Sequence, residues 1–123
     1  MTLYHVHLTL ARNEDFPNGS PHHGYDLVVP LDAAGALDSD AWKAHSKACT
    51  VRRFWQNEPD RKGLLRHIGR GWAIDYDATT READEPFFKL DKHLFKTGEY
   101  VSVTEEDGAM LTFRIDTVQP LKA

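Results

Sequence analysis

His5 and His7 sit two residues apart in a stretch that alternates strictly. Tyr4, Val6, Leu8 and Leu10 fall on one side, and Leu3, His5, His7 and Thr9 on the other. A period of two is that of a half-buried strand, so the two imidazoles share a face with Cα atoms about 6.8 Å apart. At that spacing both could ligate one divalent transition metal, which makes a metal-binding β-barrel or a metal-dependent enzyme one expectation. Further ligands would have to come from His22, His23, His67 or His93, and no spacing brings these together. The simpler reading places both histidines on the wetter face of an outer strand. A second group is cationic and aromatic. Residues 52–70 carry Arg52, Arg53, Arg61, Lys62, Arg66 and Arg70 against Glu58 and Asp60, with Phe54, Trp55 and the nearby Trp72 interleaved. Such a mixture can bind an anionic ligand or stack single-stranded nucleic acid, and Arg52, Arg53, Trp55, Arg66, Arg70 and Trp72 are its candidate binding residues. Residues 71–85 carry the opposite charge, with Arg81 against Asp75, Asp77, Glu82, Asp84 and Glu85, so the two segments could instead neutralise one another across a hairpin. Alternation also sets Arg52 and Arg53 on opposite sides of their strand.

Two smaller motifs offer less. His45 and Cys49 are four apart and would share a helix face. Beside Trp42, a thiol and an imidazole there read as packing groups rather than as a nucleophile and its base. Asp75-Tyr76-Asp77-Ala78-Thr79 matches the D-x-D-x-T pattern of haloacid-dehalogenase-type phosphotransferases, and the resemblance would make Asp75 the nucleophile and Asp77 the general acid. That chemistry needs a parallel α/β scaffold, whereas the residues after Thr79 read as a hairpin meander, so a strand running into an acidic turn is the better reading. No phosphate-binding loop, HExxH or Ser-His-Asp order is present in a supporting context.

The elements that must position these groups follow from the chain. Its 123 residues fit one domain, and 41% hydrophobic with 28% charged residues is a globular composition. A formal charge of −4 fits poorly with a chain whose whole surface grips nucleic acid or anionic lipid. The single Cys49 precludes an intrachain disulfide. No apolar run approaches the ~18 residues of a membrane span, no signal-peptide pattern opens the chain, and a cytoplasmic location is the default.

Strands are expected at 3–11 and 25–31, separated by a loop over 13–24 of the length that often carries function. A helix follows, with Asp38 as N-cap and a stripe of Ala41, Trp42, His45, Ala48 and Cys49. Further strands are expected at 50–55, then after a loop over 56–63 at 64–68 and 72–76 around Gly69-Arg70-Gly71, with one or two short strands within 87–96 beyond an acidic loop. The last hairpin pairs 99–105 with 109–118. A three-residue loop with Gly108 left-handed sets Val103 opposite Leu111 and Val101 opposite Phe113, the register that buries one apolar face. These seven or eight short strands and one amphipathic helix predict a mainly β fold, a small antiparallel sheet curled or closed into a barrel, with an open α+β sheet as the alternative.

The runs ARNEDFPNGSPHHGYDLVVPLD, AWKAHSKACTVRRFW and FKTGEYVSVTEEDGAMLTFRI resemble a group of small stand-alone bacterial proteins, mostly proteobacterial, of unknown function. The resemblance implies one stand-alone soluble domain and carries no activity. The expectation is a non-enzymatic domain that binds a small anionic ligand or a protein partner without a cofactor, alone or as a homodimer. A structural subunit of an oligomer is the remaining alternative.

Overall fold

Alternating apolar residues need a partner for one face only, and in the computed structural model a single antiparallel sheet supplies it by curling on itself. Residues 3–68, 71–75, 85–88, 94–104 and 110–121 are described, 85–88 by their backbone. The strands are β1 (Leu3–Leu10), β2 (Ser20–Pro30), β3 (Thr50–Trp55), β4 (Glu58–Ile68), β5 (Gly71–Asp75), β6 (Glu85–Phe88), β7 (Tyr100–Thr104) and β8 (Met110–Pro120). Their order across the sheet is β6-β5-β4-β3-β2-β1-β8-β7. The curl brings the edge strands β6 and β7 within Cα distances of 8 Å of each other. The inner face is the core: Val6, Leu8 and Leu10 of β1, Tyr25, Leu27 and Val29 of β2, Val51, Leu65, Ile74, Val101, Val103, Phe113 and Ile115 are all buried. The mainly β, curled architecture is therefore the predicted one.

The last hairpin has the expected register, with Val103 opposite Leu111 and Val101 opposite Phe113. The proposed bulge at Gly108 lies outside the described residues, as do Gly69, Arg70, Tyr76 to Thr79 and the acidic loop. The strands on either side of Gly69-Arg70 do pair, Ile68 opposite Gly71.

Three expectations are corrected. First, the loop predicted over 13–24 ends at Gly19, because β2 starts at Ser20. Thr9 pairs with Gly24 but Leu10 with Ser20, so Pro21, His22 and His23 are extra residues on the β2 side of a wide irregularity. The interruption made a strand look like a loop in the sequence. Second, the loop predicted over 56–63 shrinks to Gln56-Asn57, with Asn57 at φ +68 in the left-handed region that asparagine tolerates. Pro59 is accommodated at a register shift, since Arg53 pairs with Arg61 but Trp55 with Glu58, so Pro59 and Asp60 lie at an irregularity of the β3–β4 ladder. Third, the helix is shorter. Asp38 caps α1 (Ser39–His45) by accepting from the Ala41 amide, as expected, but Ser46–Ala48 tighten into a 3-10 turn. The change of pitch turns His45 and Ala48 to solvent. Trp42 docks, donating its indole N–H to the Leu65 carbonyl at 2.8 Å and meeting His67 and Trp72 edge-on, and Cys49 beyond the turn is buried in the core.

Candidate functional site

The outer face of the sheet is where polar chemistry collects. Cross-strand pairing sets Thr117, His7, Asp26, Arg52 and Lys62 in one row across β8, β1, β2, β3 and β4. His5 Nε2 lies 2.9 Å and His7 Nδ1 2.7 Å from the same oxygen of Asp26, Oδ1. The other oxygen accepts from the Arg52 guanidinium, which also donates to Asp60 at 2.8 Å. Burial pushes the Asp26 carboxyl up, but the hydrogen bonds from His7 and Arg52 outweigh it and hold the group below its ordinary value. Phe54 lies over this row, stacked on the His7 ring at 5.4 Å with planes 5° apart and carrying the Arg52 guanidinium on its face. The sequence therefore placed His5 and His7 on one face correctly and missed Asp26. Only the β1–β2 register identifies that partner. Among the described residues no group of three or more His, Cys, Asp or Glu side chains is arranged to hold a metal ion.

Of the six candidate binding residues, the five that are described fall on both faces of the sheet. Arg52 and Arg66 point outward, with Arg66 3.8 Å from Asp75. Arg53 turns to the other face, 13% exposed, its guanidinium 4.1 Å from the centre of the Trp55 ring and 3.6 Å from Glu58. Trp55 is half-buried against His23 and Phe113, and Trp72 is buried with its ring stacked on His67 at 4.4 Å. Arg70 lies outside the described residues. The physical reason is the strand period, which sends consecutive residues to opposite faces, together with carboxylates that meet each described arginine of the set. His45 and Cys49 also stay apart. The thiol donates to the His45 main-chain carbonyl at 3.4 Å, and burial pushes it up to about 11, so it is no thiolate at neutral pH.

A groove of about 860 Å³ opens elsewhere on the outer face. Thr9 and Ala11 of the β1 end, the 17–21 segment, and Thr112, Arg114 and Asp116 of β8 line it, with Arg12 and Tyr100 at its walls. A second irregularity builds it: His7 pairs with Thr117 but Leu8 with Ile115, so Asp116 is the extra residue and is turned outward. There Asp116 accepts from the Thr9 hydroxyl and sits 3.4 Å from Arg114 Nε. Arg12 is exposed, and neither an ion pair nor a hydrogen bond of its side chain is found among the described residues. Tyr100, 55% exposed, stands opposite Arg114 on the neighbouring strand. Sequence reasoning flagged the long loop that forms one wall but not Arg12, Tyr100 or Arg114. The outward alternation of the last hairpin was the available signal for the latter two.

Behind the groove wall, the Ser20 hydroxyl accepts from the His22 amide at 3.2 Å and meets His23 Nδ1 at 2.6 Å. His23 is buried beneath Phe16 and Trp55, and desolvation, with His22 and Arg53 adding to it, lowers its pKa below 6.5. A lowered folded value means that the unfolded chain takes up the proton first. Stability from this site is complete above about pH 6.5 and is lost as pH falls below it, with a slope approaching about 1.4 kcal/mol per pH unit. Denaturant unfolding of the wild type and of His23→Gln at a series of pH values between 8 and 5 reads this directly. The wild type loses stability across the window and the variant loses less.

No family model, no curated protein and no solved structure matches this chain.

Proposed function

We propose that the protein is a non-enzymatic binding domain that takes a small anionic ligand in the outer groove between β1, β8 and the 11–19 loop. The observation that carries the reading is Arg12, an exposed guanidinium on the wall of an 860 Å³ groove with no carboxylate partner among the described residues. Arg114 adds a second cation, half shared with Asp116, and Tyr100 offers an exposed ring beside it. A carboxylate or phosphate group would meet Arg12 as a planar two-pronged donor, while Thr9, Thr112 and the main chain of the 17–21 segment supply neutral polar surface. The cationic segment at 52–70 contributes less to such a role, since its described arginines Arg52, Arg53 and Arg66 already face carboxylates.

Titration of the labelled protein with phosphate, citrate and benzoate, followed by amide NMR, tests the reading. Saturable shifts are expected at residues 9–12, 18–20, 100 and 112–116. One charge-assisted hydrogen bond is worth about 1.5–3 kcal/mol, so Arg12→Ala should weaken binding by about 10- to 150-fold. Shifts scattered over the surface, or equal binding by Arg12→Ala, would remove the groove as the site.

A further inference from the structure

One wall of the groove stands on a buried histidine. We propose that His23, in its neutral form, latches the 13–19 loop against the sheet, so that the groove loses this wall, and its hold on an anion, when the imidazole takes up a proton. Such regulation rests on the groove being the anion site. The loop starts directly after Arg12 and carries Pro17, Asn18 and Gly19 of the groove wall. It is tied around Phe16: the Asn13 side chain accepts from the amides of Asp15 and Phe16 at 2.9 Å, and the Phe16 carbonyl accepts from the amides of Asn13 and Gly19. The Phe16 ring is an apolar anchor for the whole loop, partly buried with its centre 4.8 Å from that of His23. Trp55 meets the same imidazole edge-on at 4.5 Å. Ser20, which lines the groove and resumes the ladder with Leu10, holds the ring at Nδ1.

The latch depends on the charge of the ring and not on its tautomer. A hydroxyl can donate to Nδ1 or accept from it, so the 2.6 Å contact with Ser20 serves the neutral ring either way. Charge is what the site serves badly. The ring is 4% exposed beneath two aromatic side chains. The charged and titratable groups that face it are His22 on its own strand, Arg53 of β3 and Glu58 of β4. Arg53 and His22 oppose a further positive charge, and Glu58, which favours one, is 53% exposed and 3.6 Å from Arg53. Burial, with His22 and Arg53 adding to it, therefore holds His23 below its ordinary value, and the neutral latch is lost only as pH falls through that lowered value. The protonated ring regains water most readily by release of Phe16 with its loop, because Trp55 belongs to a ladder on the sheet side. Proton and anion then exclude one another, and a single proton limits the effect to about tenfold in affinity per pH unit.

Sulfate, doubly ionised throughout, tests this in amide NMR titrations of the full chain between pH 8 and 5. Below the His23 midpoint the wild type should lose affinity relative to His23→Gln by up to about tenfold per pH unit, since the variant keeps His22 and every groove cation. In the wild type alone, saturating sulfate should lower the His23 imidazole midpoint by the logarithm of the same affinity ratio. A third readout needs no anion. The amides of residues 13–16 and 18–20 should shift and exchange faster through the His23 midpoint while the core strands keep their spectrum, and in His23→Gln they should not. No saturable sulfate binding at pH 8 would remove the anion site and the coupling together. Binding at pH 8 with the same pH dependence in both proteins, a wild type that gains on the variant in acid, or an imidazole midpoint indifferent to sulfate would overturn the coupling alone. Loop amides that ignore the His23 midpoint would overturn the latch itself.

Discussion

Gly24→Ala should lower the melting temperature by about 12 °C or more. A Cβ on Gly24 would stand 1.9 Å from the Leu8 carbonyl oxygen and 2.8 Å from Phe54 Cζ. The phenyl ring can shift, but the carbonyl belongs to the β1–β2 ladder and cannot move without breaking it. Gly24 is where β2 rejoins the ladder after its extra residues, and the strands close tightly there. Overpacking against the backbone costs about 3 kcal/mol or more. The entropy of unfolding of a chain this size is about 0.26 kcal/mol/K, which converts that cost into the stated shift. Scanning calorimetry provides the measurement. A variant within about 1 kcal/mol of wild type would mean that β2 does not enter its ladder at this residue.

Phe113→Ala should cost as much by the opposite mechanism. Phe113 is fully buried, sits across from Leu10 and Val101, and meets Tyr25 edge-on at 5.1 Å and Trp55 at 6.3 Å. Removing the ring leaves a cavity between strands that a curled sheet cannot collapse, at about 3–5 kcal/mol or roughly 12–20 °C. Chemical denaturation measures the loss, and tryptophan emission should shift to the red as water approaches Trp55. A loss below about 1 kcal/mol would show that the core does not close around Phe113.

What could be read in the sequence was whatever depends on a period. β1 and the part of the last hairpin from Tyr100 to Thr104 against Met110 to Arg114 alternate without interruption, so their faces and even the pairing of Val101 with Phe113 followed from burying one side. What could not be read were the departures from period. Pro21-His22-His23 and Asp116 are residues inserted into ladders, and their effect depends on where the partner strand stands. The helix failed at the same level, since the stripe from Ala41 to Cys49 assumed one pitch and the chain changes pitch at Ser46. The site was obscured for a related reason. Charge along 52–70 is a one-dimensional property, while a binding surface needs side chains on one face from several strands. Asp26, Arg12 and Arg114 come from three separate stretches and carry no joint signal until β1 is paired on both sides.

That double pairing of β1 also governs when the groove is complete. β1 is joined to β8 by a ladder running from Tyr4 opposite Pro120 to Leu10 opposite Phe113, so its formation closes a loop over nearly the whole sequence. Closures of that span are late and slow compared with hairpin formation, and they set the pace of β-rich folding. The groove has Thr9 on one side of this seam and Thr112, Arg114 and Asp116 on the other. Intermediates that have only hairpins can therefore hold neither wall against the other. An anion in the groove would bind the finished chain alone, slowing its unfolding without hastening the early steps, and occupancy would report the completion of folding.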